Sequence, residues 1–151
     1  MIDKIKLKKM LGEVFSDAGF VKKGQTWYLS GNDAVVVINL QKSDHADKFY
    51  LNIGIWLKAL GLNDFPKENH CQIQVRLGGL FPEHVSVVDK ALNLEFSEQS
   101  DIANLIDILR RQLIPFCKSS LCLEGLKKNG AQQLFSRALI FKQAKELLEL
   151  D

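Results

Sequence analysis

The amino-acid sequence predicts an α+β fold: an N-terminal helix, an antiparallel meander of about four strands, and C-terminal helices packed on one sheet face. Apolar residues recur at helical spacing near both ends of the chain, and between them they alternate with a period of two. This separation of strands from helices is typical of α+β proteins. Short connections between consecutive strands favour antiparallel neighbours.

The first helix is predicted from one apolar stripe that follows the pattern i, i+4, i+7, i+8 and i+11. Asp3 is placed to cap the start of this helix, and Gly19 is placed to end it in a left-handed conformation. The stripe consists of Leu7, Leu11, Val14, Phe15 and Ala18.

Four segments then carry the pattern of strands: QTWYLS, AVVVINLQK, FYLNIGIWLKAL and CQIQVRLGG. The GND between the first two segments predicts a hairpin turn. The polar segment GLNDFPKENH, which contains Pro66, predicts a loop. The segment LFPEHVSVVDKALNLEF fits either a short helix or an irregular edge piece.

From Ser97 onward the pattern is helical, with Ser97 or Ser100 as the expected cap of a helix that Pro115 should kink or end. A short helical turn closed by Gly130 should follow, and then a last helix over AQQLFSRALIFKQAKELLEL. The expected inward residues of this last helix are Leu134, Ala138, Phe141 and Leu148.

The alternation also predicts how the two central strands pair. If Leu40 faces Leu51, every inward residue of one strand faces an aliphatic residue of the other, and a shift by one residue would bury amides instead. The resulting aliphatic pairs are Leu40 with Leu51, Ile38 with Ile53, and Val36 with Ile55.

The opposite face of the predicted sheet, called here the polar face, combines amides, aromatic rings and one arginine, and it includes the strand glycine Gly54. Two interpretations remain open: a solvated outer face, or a surface that binds a partner or ligand. Asparagine is a poor strand former, and a strand glycine often marks a close approach by another backbone or a ligand. The candidate binding residues are Asn39, Gln41, Tyr50, Asn52, Trp56, Gln74, Arg76 and Trp27, with either Trp27 or Tyr28 facing outward.

The bulk composition is that of a single globular domain over residues 1–151, with 46% hydrophobic and 25% charged residues. The formal net charge of +2 gives no reason to expect a membrane or nucleic-acid partner. No signal-peptide pattern and no apolar run of about 18 residues is present, so a cytoplasmic location is expected.

The residues that carry catalytic or metal chemistry do not form a recognisable motif. Cys71, Cys117 and Cys122 are an odd number at irregular spacing and are expected to be reduced and buried. The pair His70-Cys71 lacks a second ligand pair, so no metal and no cofactor is expected. Phosphate-loop and nucleophile-elbow motifs are missing, and no catalytic residue is nominated.

The strands and their flanks also carry a family resemblance, through AGFVKKGQTWYL, VVVINLQKS, FYLNIGIWL and the C-x-x-x-x-R-L of Cys71 to Leu77. In these segments the chain resembles a mainly bacterial family catalogued as domain of unknown function 4304. The resemblance implies a small cytosolic α+β domain. It implies no activity, substrate or catalytic residue.

The leading functional hypothesis is a non-enzymatic binding module that uses the polar face, with Arg76 as its charged anchor. Its partner would be a protein, for example in an inhibitor- or immunity-type complex, or a small polar ligand. The alternative is an enzyme of unrecognised type that acts on a small polar substrate. A third hypothesis is single-stranded nucleic-acid binding through sheet aromatics, which the dispersed basic residues disfavour.

Overall fold

The computed structural model describes residues 2–150 and confirms the predicted α+β architecture, with six strands in the meander. The strands are β1 (Val21–Lys23), β2 (Thr26–Ser30), β3 (Ala34–Lys42), β4 (Phe49–Leu57), β5 (Ile73–Arg76) and β6 (Leu139–Ile140). The helices are α1 (Lys4–Asp17), α2 (Leu77–Leu80), α3 (Val85–Leu92), α4 (Gln99–Ile108), α5 (Ile114–Ser119), α6 (Leu123–Ala131) and α7 (Lys142–Leu148). Among these residues, no helix has the length and hydropathy that crossing a membrane requires.

Helix α1 begins and ends where the sequence predicts. The carboxylate of Asp3 accepts a hydrogen bond from the backbone N–H of Lys6 at 2.8 Å, which satisfies one of the free donors of the first turn. Gly19 follows the helix with a φ of +98°, a conformation that favours glycine.

The strands lie in the order β1-β2-β3-β4-β5-β6, and every neighbouring pair is antiparallel. The predicted register of the central pair is confirmed: Ile38 lies opposite Ile53, and Asn39 lies opposite Asn52. Strand β5 continues the same rows, since Arg76 lies opposite Asn52. The aliphatic face of the sheet forms one continuous core with apolar side chains of all the longer helices.

Strand β5 is shorter than predicted. The chain leaves the sheet after Arg76, and residues Leu77–Leu80 form the short helix α2. The ambiguous segment that follows is mostly helical, with a 3-10 turn at Pro82–His84 and then α3.

The start of α4 differs from the prediction, because neither Ser97 nor Ser100 caps this helix. Glu98 occupies the cap position, and its backbone N–H donates to the Asp101 carboxylate at 2.9 Å. Of the two effects predicted for Pro115, a kink or an end of the helix, the helical run does not end but is locally distorted. A π-helical turn at Leu109–Leu113 precedes α5, and this wider turn accommodates the missing N–H of the proline.

The predicted last helix is wrong over its first half. Residues Leu139–Ile140 form β6 beside β5, and the backbone N–H of Phe141 donates to the carbonyl of Gln72 at 2.8 Å. These bonds satisfy backbone groups along the outer edge of β5, which a helix in this position would leave unpaired. Leu148 is buried as predicted, whereas Leu134 and Ala138 are half-buried and Phe141 is 39% exposed.

Gly54 sits at the centre of β4, where the segment of residues 61–71 crosses the polar face of the sheet. A Cβ atom at Gly54 would lie 2.8 Å from the sulfur of Cys71 and 3.1 Å from the carbonyl oxygen of Glu68. The close approach expected at this glycine is therefore made by the chain itself.

Replacing Gly54 with alanine should destabilise the protein by about 1–3 kcal/mol, because the new methyl group overlaps Cys71. The free energy of unfolding, measured by urea denaturation, checks this. Gly12→Ala is the matched control: no atom lies within 4 Å of its added Cβ on α1, so it should stabilise by roughly 0.5–1 kcal/mol. Adding Cys71→Ala to Gly54→Ala should recover part of the loss, and equal stability of Gly54→Ala and wild type would contradict the packing.

Candidate functional site

Seven of the eight predicted binding residues lie on the polar face of the sheet. The register brings four polar residues into one row across the sheet, with Thr26 opposite Asn39, Asn39 opposite Asn52, and Asn52 opposite Arg76. Gln41 lies opposite Tyr50 in the next row. The sequence prediction missed Thr26, because the register of the β2–β3 hairpin does not follow from the alternation alone.

Of the two alternatives for the outward position, Trp27 and Tyr28, the placement of Trp27 on the polar face is wrong. Trp27 lies opposite Ile38 and is 1% exposed, and its ring packs on Phe15 of α1 at a centroid distance of 4.9 Å. Tyr28 takes the outward position instead. The larger apolar ring of Trp27 gains more from burial in the core, whereas the tyrosine hydroxyl remains able to contact water.

Two of the predicted residues hold the segment of residues 61–71, called here the covering segment, onto the polar face. The indole N–H of Trp56 donates to the carbonyl of Gly61 at 2.9 Å. The side-chain amide of Gln74 donates to the carbonyls of Asn69 at 3.1 Å and Cys71 at 3.0 Å. Both side chains therefore have a structural role that the strand pattern did not reveal.

Under the covering segment lies a small second core. Val35, Val37 and Cys71 are fully buried there, with Tyr28 and Trp56 packed against them. Half of the polar face is thus closed by the chain itself. The amide-bearing half remains uncovered.

The uncovered half carries a chain of side-chain hydrogen bonds. The Asn39 amide donates to the hydroxyl of Thr26 at 3.1 Å, and the Asn52 amide donates to the carbonyl oxygen of Gln41 at 2.8 Å. Arg76 Nε donates to the carbonyl oxygen of Asn52 at 3.3 Å. Within residues 2–150, these bonds leave Asn39 Oδ1, Gln41 Nε2 and the terminal nitrogens of Arg76 available to a ligand or to water.

Arg76 is further oriented by an aromatic ring. Its guanidinium carbon lies 3.9 Å from the ring centroid of Tyr50, and Lys48 Nζ lies 5.2 Å from the same centroid. Stacking on a ring and bonding through Nε restrict the guanidinium to one orientation.

The uncovered half is concave. One cleft of about 480 Å³ runs between the polar row and the covering segment, and a second cleft of about 440 Å³ continues toward β5 and β6. Gln41, Asn52 and Glu68 line both clefts, so the two form one continuous depression, called here the polar groove. Both clefts are open to solvent, and the second is the shallower of the two.

Glu68 is a groove residue that the sequence analysis missed. Its Oε2 atom is buried and, within residues 2–150, has no hydrogen-bond partner. Burial raises the pKa of the Glu68 carboxyl, and the nearby Arg76 offsets only part of this effect. Glu68 lies in a polar loop without periodicity, so no pattern could place it above the sheet.

The cysteines and histidines do not form a reactive centre in the described part of the chain. Burial raises the pKa of Cys71 to about 12, so Cys71 is a neutral thiol at physiological pH and a poor nucleophile. Cys117 is also a buried free thiol, whereas Cys122 is exposed, contrary to expectation. No group of three or more potential metal ligands occurs among residues 2–150.

Comparisons with known proteins agree with the family resemblance. The family model described as domain of unknown function (DUF4304) matches residues 11–119. No curated protein and no solved structure matches the chain. The matched range includes β1 to β5 and the covering segment, and it ends before α6, β6 and α7.

Glu68→Gln should increase stability near pH 7 and lose this advantage in acid. Burial raises the pKa of Glu68 in the folded state, so the folded protein binds this proton more tightly than the unfolded chain does. The free energy of unfolding of the wild type therefore falls as the pH rises from the ordinary glutamate pKa through the raised pKa. Glutamine carries no charge and avoids this loss. Thermal unfolding of both proteins between pH 4 and 8 measures the difference, and a gap that does not change with pH would contradict the burial of this carboxyl.

Proposed function

The chain belongs to the DUF4304 family, and because that family is a domain of unknown function, we propose its function on structural grounds. We propose that the protein is a non-enzymatic binding module. It holds a small polar ligand in the polar groove. The uncovered half of the polar face contacts the ligand, and the covered half holds the sheet and the covering segment in a fixed position.

The observation that carries this proposal is a set of unpaired polar atoms in one concave surface. Asn39 Oδ1 offers an acceptor and Gln41 Nε2 offers a donor. Among residues 2–150, the buried Glu68 Oε2 is an acceptor without a partner. A buried carboxylate oxygen without a partner is costly, and a ligand N–H or O–H would relieve that cost.

The groove is also organised before any ligand arrives. Each amide of the polar row is held by a neighbour, and the covering segment is held by Trp56 and Gln74. Binding then requires little ordering of side chains, which favours affinity for a small molecule.

The concave, mainly polar lining supports a small ligand over the protein partner of the sequence hypothesis. An inhibitor- or immunity-type complex needs a broad patch with an apolar centre and about 800 Å² on each partner. Of the aliphatic residues on the polar face, Val35 and Val37 are buried under the covering segment. Val21 and Leu139 are exposed but lie on the two opposite edge strands of the sheet, so they form no single apolar centre.

Glu68 gives specific support to one second function, an enzyme that acts on a small polar substrate. A half-buried carboxyl with a raised pKa beside a groove has the properties of a general acid or base. The binding module is preferred because the Cys71 thiol near Glu68 is buried and neutral, and because no group of three or more potential metal ligands occurs among residues 2–150.

A thermal-shift screen tests the proposed binding. The probes are a set of amino acids, hydroxy acids, small amides and nucleosides. A ligand at 100 times its dissociation constant stabilises the folded state by about 2.7 kcal/mol, which raises the Tm by several degrees. The double variant Asn39→Ala/Asn52→Ala should unfold cooperatively and lose this increase, because both amides line the groove.

Asn104→Ala is the matched control, since Asn104 is exposed on α4, away from the sheet. It should respond to the same compound as the wild type does. The proposal is wrong if no compound of the set raises the Tm, or if the double variant retains the full increase. Turnover of a hit compound that is lost in Glu68→Gln would instead establish the enzyme.

A further inference from the structure

Three cationic side chains converge at the β5 end of the polar groove. Arg76 and Arg137 line both the groove and a further cleft of about 300 Å³ beyond it, and Lys48 lines that further cleft. Gly79 lines both spaces as well, so the groove and the further cleft meet beside the two arginines.

These cations have no ion-pair partner in the described part of the chain. Within residues 2–150, no carboxylate oxygen lies within 4.0 Å of a side-chain nitrogen of Arg76, Arg137 or Lys48. The carboxylates that line the same spaces are Glu68 and Asp89. Three cations against two carboxylates leave a local excess of positive charge.

Arg76 is held in an orientation suited to an anion. Its Nε is bonded to Asn52, and its planar group stacks on Tyr50 at 3.9 Å. In the part of the chain that the structure describes, its two terminal nitrogens have no hydrogen-bond or ion-pair partner. A guanidinium with both terminal nitrogens available can bind a carboxylate or phosphate through two parallel hydrogen bonds.

The second arginine lies beside α2. The position that a Cβ atom of Gly79 would occupy is 3.6 Å from Arg137 Cβ, an ordinary van der Waals distance. The segment before β6 therefore packs next to α2, and Arg137 lies at the edge of the groove.

We infer that Arg76 and Arg137 form an anion subsite, and that the ligand of the polar groove is a small molecule with a carboxylate or phosphate group. The anionic group lies at the two guanidinium groups, and the uncharged polar part lies along Asn52, Gln41 and Asn39. This inference rests on the proposed function, since it names the chemical class of the ligand for the same groove.

Nuclear magnetic resonance of the arginine Nε–H groups in the full chain tests the subsite. Sodium phosphate and sodium succinate are the probes, each titrated against sodium chloride at equal ionic strength. Both arginine signals should shift along a saturating curve with at least one probe. Arg76→Lys should weaken the binding roughly tenfold, because lysine loses the two parallel hydrogen bonds.

Arg110→Lys is the matched control, because Arg110 is exposed and lines a different cleft, beside α1 and α4. It should leave the dissociation constant unchanged. Saturation by phosphate alone, by succinate alone or by both supports the subsite and identifies the anion. Shifts that are linear and equal to those with chloride would overturn it.

Two further outcomes separate this inference from the proposed function. If an uncharged compound still raises the Tm through Asn39 and Asn52 while neither anion binds, the groove is a ligand site without an anion subsite. If oligothymidylate binds more tightly than both small anions and shifts the α1 lysines too, the cations serve a nucleic-acid surface and the inference is wrong.

Discussion

Ile38 and Ile53 face each other at the centre of the sheet, and their burial sets the register in which β3 pairs with β4. Each buried aliphatic side chain contributes roughly 1.5–3 kcal/mol, so a shift by one residue would replace several such contributions with buried amides. The same register places Asn39 opposite Asn52, and β2 and β5 extend that row to Thr26 and Arg76. The polar row is therefore the geometric consequence of the aliphatic core on the other face.

The polar face is closed over one half and open over the other. Val35, Val37 and Cys71 form a second small core under the covering segment, and Gly54 provides the space for this contact. Trp56 and Gln74 fix the segment by donating to its backbone carbonyls. Because these residues close one half, the other half becomes a groove with a wall, and the amides along it are oriented by their neighbours.

Opposite charges lie along this groove. Glu68 lines its centre with one buried oxygen that has no hydrogen-bond partner within residues 2–150, and Arg76 and Arg137 line its β5 end. Arg76 lowers the pKa of Glu68, but burial outweighs this effect and the net shift is upward. A ligand that donates to Glu68 and carries an anion for Arg76 would satisfy both ends together.

Local patterns were sufficient to predict the fold class, the cap of α1 at Asp3 and the central register. They also predicted the outward positions of Asn39, Asn52 and Arg76, because the strand and helix periods act within short segments.

Local patterns were insufficient wherever distant segments meet. The burial of Trp27 depends on α1, the pairing of β6 depends on the free edge of β5, and Glu98 replaced the expected serine cap through its bond to Asp101. The groove itself was decided by tertiary structure, since neither Glu68 in its polar loop nor Arg137 near the end of the chain carries a periodic signal. Both reach the sheet only because long-range packing positions the segments that hold them.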